Sequence, residues 1–273
     1  MNERVETSGQ GGGPELKELL DFAVRIARGA GEITLRYFRK EFTPERKADG
    51  SFVTVADREA ESYLREQIRR EFPEDAVLGE EEGESAGASG RRWILDPIDG
   101  TYSFVHGVPF YGVLVGVEVG GEAAVGVVNA PALGEMLYAA RGHGCFLNGR
   151  PARVSQTPTL EQALMLTTSF RLFEQNHTSD IAADLQRRTA NARTWGDCYG
   201  YVLVATGRAD LMLDPVMNPW DCAPLLPILE EAGGTFTDWR GQRTIYGGHA
   251  VATNGLLFQE VMEILRPPLG HSR

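Results

Sequence analysis

The chain has 273 residues with 27 Lys and Arg against 38 Asp and Glu, which gives a formal net charge of −11. A chain of this length can bury enough apolar surface to fold without disulfides or a structural metal. The negative charge argues against nucleic acid or an anionic membrane as a partner, because both are held by Lys and Arg against phosphates. A small anionic substrate stays open, since a bound metal ion can supply positive charge locally.

Nothing in the sequence predicts a membrane span. The best apolar run, residues 111–119, contains Glu118 and is far shorter than the roughly 20 residues that a span needs. The three cysteines are widely spaced and form no CxxC pair, which favours a reduced, cytoplasmic setting. Residues 1–14 are polar and rich in glycine, and we expect a disordered leader there.

The first half of the chain predicts two helices followed by a β-rich region. Apolar residues at helical spacing predict helices over 15–42 and 57–71, with a polar loop over 43–51 between them. Thr54 and Asp57 fit a capping box at the start of the second helix. Alternating and short apolar runs then predict a series of strands and a tight turn at Asn148-Gly149. These strands are 76–78, 93–96, 110–119, 122–128 and 135–139.

The second half predicts alternating strands and helices. The strands are 163–167, 210–213, 235–237 and 250–252, and the helices are 178–189, 199–205, 221–232 and 256–265. Pro224 and Pro227 fit only the first turn of a helix or a kink. We place a boundary near 151–158, which divides the chain into an N-terminal lobe, 15–150, with the metal-binding motifs and a C-terminal lobe, 151–273, with substrate-selective residues.

Four groups of acidic residues stand where predicted strands end or predicted helices begin. They are Asp57, Glu80–Glu82, Asp96 with Asp99, and Asp221. Each group alone has an ordinary explanation. An acidic run is usually a solvated face, Asp-Gly is common in turns, and an aspartate in a first helical turn is favoured by the helix dipole. The functional interpretation therefore depends on their occurring together.

The segment Asp96-Pro-Ile-Asp-Gly-Thr101 is the most informative of the four. A strand that runs straight into it places two carboxylates one tight turn apart, with Pro97 fixing φ and Gly100 permitting a left-handed turn. Two carboxylates this close repel unless a cation lies between them, and hard oxygen ligands select Mg²⁺ or Mn²⁺ over zinc. The backbone N–H groups after Gly100 are then available to an anion.

These motifs resemble those of the inositol monophosphatase family of magnesium-dependent, lithium-sensitive phosphatases. The matching segments are 93–101 and 220–223, supported by 79–81 and 47–57, and the resemblance spans about 15–265. It implies an α/β (α+β) layered sandwich of the αβαβα sugar-phosphatase type with mixed sheets. It also implies a metal-dependent phosphate monoester hydrolase that uses two or three Mg²⁺ ions per chain, with Mn²⁺ as an alternative.

The resemblance implies a set of metal ligands at the matched positions. Glu80, Asp96 and the backbone carbonyl of Ile98 would hold a first ion. Asp96, Asp99 and Asp221 would hold a second, so that Asp96 bridges the two ions. Glu80 would also reach a third, weaker ion through water.

The resemblance also implies the residues that handle the phosphate and the attacking water. Gly100 and Thr101 would bind the phosphate through their backbone N–H groups. The Thr101 hydroxyl and Glu80 would orient the water, with Asp57 supporting Thr101. Lys47 would lie on a mobile loop near the site.

Substrate choice within this family is not decided by the metal motifs, which serve inositol phosphates, histidinol phosphate, fructose bisphosphate and 3′-phosphoadenosine nucleotides alike. The segments 195–201 and 237–241 are similar to the histidinol-phosphatase branch and favour L-histidinol phosphate. Asp197 would pair with a cationic group of that substrate, although an aspartate at a helix start is also compatible with capping. Asp214 is a second candidate, and it departs from the glutamate that inositol-type members tend to carry.

Two other functions stay open. One is an inositol-1-monophosphatase, and the other is a family member with an added non-catalytic protein-binding role. The metal ligands that the family requires are all present, which argues against an inactive scaffold. The resemblance further implies a homodimer that acts on a small phosphorylated metabolite in histidine biosynthesis.

Overall fold

The computed structural model of the chain describes residues 13–48 and 50–265. Within these ranges it contains eight α-helices and fifteen β-strands. The helices are α1 (Gly13–Tyr37), α2 (Val55–Glu71), α3 (Thr101–Val105), α4 (Phe170–Gln175), α5 (Ser179–Arg188), α6 (Asp197–Ala205), α7 (Pro219–Glu231) and α8 (Phe258–Leu265). The strands are β1 (Glu45–Arg46), β2 (Phe52–Val53), β3 (Ala76–Gly79), β4 (Gly83–Ser85), β5 (Arg91–Asp99), β6 (Gly112–Val119), β7 (Glu122–Ala130), β8 (Glu135–Ala140), β9 (Gly144–Leu147), β10 (Arg150–Pro151), β11 (Leu164–Leu166), β12 (Asn191–Arg193), β13 (Leu211–Asp214), β14 (Thr235–Thr237) and β15 (Ala250–Thr253).

Two mixed sheets carry the fold. The larger has eight strands in the order β10-β9-β8-β7-β6-β5-β3-β4, and its neighbours are antiparallel except for the parallel pair β3 and β5. The smaller has five strands in the order β12-β11-β13-β15-β14. In it β11 runs parallel to β12 and β13, whereas β15 is antiparallel to β13 and β14.

Apolar side chains join these sheets and the helices into five layers. One face of the larger sheet packs against α1 and α2 through residues such as Leu64 and Trp93. Its other face packs against α6 and α7, which also contact the smaller sheet and so lie between the two. The far face of the smaller sheet is covered by α4, α5 and α8, with Phe173 and Val261 in that core. The predicted αβαβα layered sandwich with mixed sheets is confirmed.

The N-terminal elements differ from prediction at their ends. The first helix stops at Tyr37 instead of continuing to 42, because Phe38 and Phe42 turn to pack against Phe104. The segment 43–51 was predicted as a polar loop, but its residues Glu45–Arg46 form β1, which pairs with β2 in a small hairpin. Most of the predicted leader lies outside the described residues, but its last two residues already belong to α1.

The division into two lobes stays a prediction. The larger sheet ends at Pro151 and the smaller begins at Leu164, which agrees with a change of sheet near the expected boundary. The layer of α6 and α7 packs on both sheets, however, so the core is continuous between them. Among the described residues, none of the helices combines the length and apolarity needed to cross a bilayer.

Helix α7 approaches the larger sheet closely at two glycines. A Cβ added to Gly116 would lie 2.7 Å from the Cβ of Ala223, and one added to Gly126 would lie 2.0 Å from the carbonyl oxygen of Pro224. Pro224 and Pro227 both lie inside the helix and not in its first turn, which begins at Pro219. Each of these prolines removes one backbone N–H donor from the helix, and both are buried.

We expect Gly126→Ala to destabilise the protein, because the new methyl group must push the backbone of α7 away from β7. Overpacking of this kind costs about 1–3 kcal/mol, and about 2–4 °C of melting temperature is lost per kcal/mol in a chain of this size. Thermal unfolding followed by circular dichroism measures the loss. A variant that melts with the wild type would contradict the close contact between α7 and the sheet.

Candidate active site

Asp96 and Asp99 lie at the end of β5, where the strand contains a β-bulge. Asp96 pairs with Leu114 of β6 and Asp99 pairs with Gly112, so three steps along β5 oppose two steps along β6. In a regular strand, side chains three residues apart point to opposite faces of the sheet. The extra residue brings both aspartates to one side, and the bulge is therefore what makes them neighbours.

Asp221, in the first turn of α7, completes a cluster of three carboxylates. One oxygen from each of Asp96, Asp99 and Asp221 lies within 4.8 Å of the other two. The larger sheet supplies two of these groups and the middle helical layer supplies the third. The resemblance implied that segments 93–101 and 220–223 bring their carboxylates together, and the structure shows this convergence.

Backbone N–H groups hold each of the three carboxylates in place. The N–H of Ile98 donates to Asp96 Oδ1 at 3.0 Å, and the N–H of Asn218 donates to Asp221 Oδ2 at 2.7 Å. Asp99 Oδ2 accepts the N–H of Cys198, near the start of α6. Asn218 is the N-cap of α7 and forms a capping box with Asp221, so this aspartate both caps the start of the helix and belongs to the cluster.

Burial and mutual repulsion raise the pKa of every carboxyl group in the cluster. Burial is the largest cause in each case, and repulsion between the neighbouring carboxylates adds to it. The pKa values of Asp99 and Asp221 rise to about 7. That of Asp96, which is 2% exposed, is raised well above its ordinary range. Asp96 is buried and Asp99 and Asp221 are partly buried. Three carboxylates held together in this way, with no ion pair to a cationic side chain among the described residues, form a donor set that fits a hard divalent cation such as Mg²⁺ or Mn²⁺.

Asp57 is buried at the start of α2, and one of its oxygens lacks a partner. Its Oδ2 accepts the N–H of Thr54 at 2.7 Å and the Thr54 hydroxyl at 2.6 Å, which confirms the predicted capping box. Among the described residues, Asp57 Oδ1 is a buried oxygen with no hydrogen-bond donor. Burial raises the pKa of Asp57 to about 6. This unpartnered oxygen is a second observation that fits a hydrated metal ion beside it.

Asp57 was expected to support Thr101, but the structure shows no hydrogen bond between the Thr101 hydroxyl and Asp57. The hydroxyl donates to the carbonyl oxygen of Ile98 at 2.9 Å, whereas the bonded oxygen of Asp57 is used by Thr54. The turn itself has the expected form, because Gly100 has φ 86° and is the N-cap of the short helix α3. A Cβ at position 100 would lie 2.7 Å from the carbonyl oxygen of Phe110, so glycine is required there for space as well as for φ.

Glu80 directs its carboxylate to a lysine. Lys47, in the turn between β1 and β2, places its Nζ 2.8 Å from Glu80 Oε1 and 2.7 Å from Glu81 Oε1. Burial raises the pKa of Glu81 to about 7 despite this partner. Glu80 lies close enough to the cluster to raise the pKa of Asp96, but its oxygens are not among the three that converge within 4.8 Å. The predicted position of Lys47 on a loop near the site agrees with these contacts.

Asp197 is half-buried beside the Gly100 turn. The N-cap of α6 is Gly196, so the alternative that Asp197 caps this helix is wrong. Asp197 Oδ2 lies 3.1 Å from where a Cβ of Gly100 would stand, and the Ser103 hydroxyl donates to it at 3.5 Å. Burial first, and then repulsion from Asp99, raises the pKa of Asp197 well above its ordinary range. Its carboxylate therefore lies between the carboxylate cluster and the Gly100 turn.

Asp214 is fully enclosed by protein donors. It is 1% exposed, and its oxygens accept the N–H of Thr168 at 2.8 Å and the hydroxyls of Thr167, Thr168 and Tyr201 at 3.1–3.2 Å. Burial raises its pKa to about 6. Thr168 Oγ1 also accepts the N–H of Asp197 at 2.9 Å. Asp214 thus supports Asp197 through Thr168, and direct contact between Asp214 and a substrate stays a prediction.

Two further groups at the site were missed by the sequence reasoning. Thr168 links Asp214 to Asp197, but 46 and 29 residues separate it from these partners, and no local pattern marks the connection. Glu61, which binds the backbone next to Glu80, did have a signal. It follows Asp57 by four residues on a predicted helix, and residues at that spacing share a face.

The layered sandwich, with a carboxylate cluster at the end of β5 that fits a divalent cation, defines a class of α/β proteins, and comparison with known proteins gives the family. The model of the inositol monophosphatase family matches residues 15–266. A histidinol-phosphatase of Chlorobaculum parvum is 44% identical over 86% of this chain and 91% of its own length. One of Mycobacterium tuberculosis is 40% identical over 89% of this chain and 96% of its own. The solved structure of a Thermotoga maritima IMPase superposes with a TM-score of 0.82 at 34% identity, covering 91% of this chain and 96% of that one. The chain belongs to the inositol monophosphatase family.

We expect Asp99→Asn to stabilise the metal-free protein at pH 7.5 and to have little effect near pH 4. The folded-state pKa of Asp99 is about 7, against about 3.9 in an unfolded chain. The proton bound in the folded state therefore stabilises it fully below about pH 4, and this stabilisation is lost as the pH rises through 7. Asparagine avoids that loss, and its amide oxygen can still accept the N–H of Cys198.

Urea unfolding of both proteins in EDTA, between pH 4 and 8, measures this effect. The difference in unfolding free energy should grow with pH in favour of the variant. Excess Mg²⁺ provides the control, because it should stabilise the wild type more than the variant and so reduce or reverse the difference at pH 7.5. A difference that is the same at every pH would rule out repulsion in the cluster as its cause.

Proposed function

We propose that this protein is a metal-dependent phosphate monoester hydrolase that acts on L-histidinol phosphate. The observation that carries the proposal is the buried cluster of Asp96, Asp99 and Asp221 with a fourth carboxylate, Asp197, beside its phosphate-binding turn. The first part of that arrangement fits metal ions that bind a phosphate. The second part fits a substrate with a positive charge. The similarity to two histidinol-phosphatases supports the same substrate.

The carboxylate cluster would hold two or three Mg²⁺ ions, with Mn²⁺ as an alternative. Asp96, Asp99 and Asp221 would hold one ion, and Asp96, Glu80 and the carbonyl of Ile98 would hold another. Metal ions bound there supply positive charge that activates a water molecule and neutralises the charge on the transferring phosphoryl group and its leaving oxygen. This explains how a protein with a net charge of −11 can take an anionic substrate.

The chain's own groups would position the phosphate and the water. Gly100 and Thr101 begin α3, and the N–H groups of a first helical turn have no acceptor within the helix, so they are available to phosphate oxygens. The Thr101 hydroxyl donates a hydrogen bond to the carbonyl oxygen of Ile98, which leaves the lone pairs of the hydroxyl oxygen available to accept a hydrogen bond from water. The carboxylate of Glu80 would accept the second hydrogen bond of the same water molecule. Held between these two acceptors, the water would be oriented for attack.

Asp197 would select the substrate by charge. Histidinol phosphate carries an amine and an imidazole, and a carboxylate pairs with either in its cationic form. The neighbouring carboxylates of Asp99 and Asp214 raise the pKa of Asp197. A cationic group placed there favours the ionised form of Asp197 and would relieve this repulsion. A phosphate ester without a cation would leave the repulsion in place.

An inositol-1-monophosphatase is the second candidate, supported by the likeness to the Thermotoga maritima IMPase. Asp197 would then accept hydrogen bonds from sugar hydroxyls in place of a cation.

The first candidate, the histidinol-phosphate phosphatase, would act in histidine biosynthesis as a cytoplasmic homodimer. A non-catalytic protein-binding role could accompany this activity.

Phosphate release from a panel of substrates tests the assignment. With Mg²⁺ present we expect the highest kcat/KM on L-histidinol phosphate, ahead of inositol 1-phosphate, fructose 1,6-bisphosphate and 3′-phosphoadenosine 5′-phosphate. Excess EDTA should abolish turnover, and added Mg²⁺ should restore it. Preference for inositol 1-phosphate would select the second candidate, whereas full turnover in EDTA would overturn the metal-dependent reaction.

We expect Asp197→Asn to lower kcat/KM for histidinol phosphate by about 10- to 150-fold, because a hydrogen bond to a charged group is worth about 1.5–3 kcal/mol. Asparagine is the suitable replacement, since it tolerates the φ of 50° at this position better than alanine does. Glycerol 2-phosphate, which has no cationic group, is the control substrate and should lose little. Equal losses on both substrates would show that Asp197 does not recognise the cation.

A further inference from the structure

The turn that carries Glu80 rests on a buried ion pair from α2. Glu61 is 0% exposed and Arg65 is 4% exposed, and Arg65 Nε donates to Glu61 Oε1 at 2.8 Å. The two residues are one helical turn apart, so they present their charged groups on the same face of α2. That face meets the turn between β3 and β4.

The Glu61 carboxylate binds the backbone immediately after Glu80. Its Oε2 accepts the N–H of Glu81 at 2.8 Å, and its Oε1 accepts the N–H of Glu82 at 3.0 Å. The guanidinium of Arg65 donates to the carbonyl oxygen of Gly83. The ion pair thus contacts three consecutive residues of the turn. It accepts hydrogen bonds from two backbone N–H groups and donates one to a backbone carbonyl oxygen.

Glu80 is also fixed from its other side. Its own N–H donates to the carbonyl oxygen of Leu95 at 3.2 Å, and Leu95 is the residue before Asp96. The backbone of Glu80 therefore lies between β5, which carries the metal cluster, and the ion pair of α2. The two sets of contacts fix the direction in which its side chain leaves the backbone.

The glycine before Glu80 is explained by the same ion pair. A Cβ at Gly79 would lie 2.2 Å from Glu61 Oε1 and 2.7 Å from an Arg65 Nη. Both distances are far below van der Waals contact, so residue 79 must lack a side chain for the pair to reach the turn. In the Gly-Glu-Glu sequence, Gly79 therefore leaves room for the ion pair, and Glu80 is the residue that the ion pair positions.

We propose that Glu61, held by Arg65, is a positioning residue that aims Glu80 at the metal ions. A buried ion pair contributes little net stability compared with apolar packing of the same volume, so stability alone gives little reason for charges here. Orientation of a metal ligand gives one, because groups that hold a ligand in place typically change metal affinity by about 10- to 100-fold when they are removed. This inference rests on the proposed function in one respect, that Glu80 is a metal ligand.

Isothermal titration of the metal-free full chain with MgCl₂ tests this inference without substrate or turnover. Glu61→Gln keeps the shape of the side chain but replaces one acceptor by an NH₂ group, which opposes a backbone N–H. We expect its Kd for Mg²⁺ to rise about tenfold or more. The rise in melting temperature on adding Mg²⁺ should shrink accordingly.

Glu118→Gln is the matched control. Glu118 is also buried, at 3% exposure, and its Oε2 accepts from Arg92 Nε at 2.8 Å, but this pair lies at the opposite end of β5 from Asp99. We expect this variant to lower the melting temperature and to leave the Kd for Mg²⁺ within twofold of the wild type. Turnover of histidinol phosphate at saturating Mg²⁺ should follow the same pattern, with kcat reduced in Glu61→Gln and not in the control.

An unchanged Kd in Glu61→Gln, whatever its melting temperature, would overturn the inference while leaving the proposed function intact. If this variant does not fold, Arg65→Lys takes its place, because lysine keeps the charge but cannot reach both Glu61 and Gly83 with a planar fork. The same rise in Kd is expected for it, and its absence is equally decisive. A wild type that binds no Mg²⁺ would overturn the proposed function itself.

Discussion

The site depends on the extra residue that β5 contains between Asp96 and Asp99. Without it, the alternation of a strand would send one carboxylate to the α1–α2 side of the sheet and the other to the α6–α7 side. With it, both face the middle helical layer, where Asp221 begins α7 and Cys198 offers its N–H to Asp99. A single irregularity of register thus turns an ordinary central strand into a source of two adjacent ligands.

The middle layer contributes its part because both of its helices begin at this edge of the sheet. Helix α7 brings Asp221 and α6 brings Asp197. The start of α6 is tied to the site by the N–H of Cys198, which donates to Asp99, whereas Asp221 is held by the N–H of Asn218 within the cap of its own helix. The contact of α7 with Gly116 and Gly126 sets how deeply it sits on the sheet. The elements that carry the carboxylate cluster are therefore the same ones that form the continuous core, and the close packing of that core limits how far the carboxylates can move.

The layers and the convergence of Asp96, Asp99 and Asp221 could be predicted from the sequence because both have local signatures. Apolar periodicity predicted most strands and helices to within a few residues. The Asp96–Thr101 segment indicates a pair of neighbouring carboxylates because its two aspartates are separated only by a tight turn. The hairpin of β1 and β2, the ion pair beneath the Glu80 turn and the Thr168 link were not predicted. The ion pair and the Thr168 link depend on partners from distant parts of the chain, such as Glu81 with Glu61 or Asp214 with Thr168. The two strands of the hairpin are local, but each is only two residues long and therefore too short to show a period. The helix end at Tyr37 was misjudged because aromatic packing, and not helix propensity, decides where the chain turns.

The left-handed backbone of Asp197 gives this position a conflict between stability and activity. Residues other than glycine cost roughly 1–2 kcal/mol in this conformation, with Asn and Asp the most tolerant, and the half-buried carboxylate beside Asp99 adds a further cost. Glycine would relieve both, so selection for a more heat-resistant protein and selection for recognition of a cationic substrate act on this residue in opposite directions. Engineering that ranks substitutions by folded-state stability alone would therefore remove the very group proposed to choose the substrate.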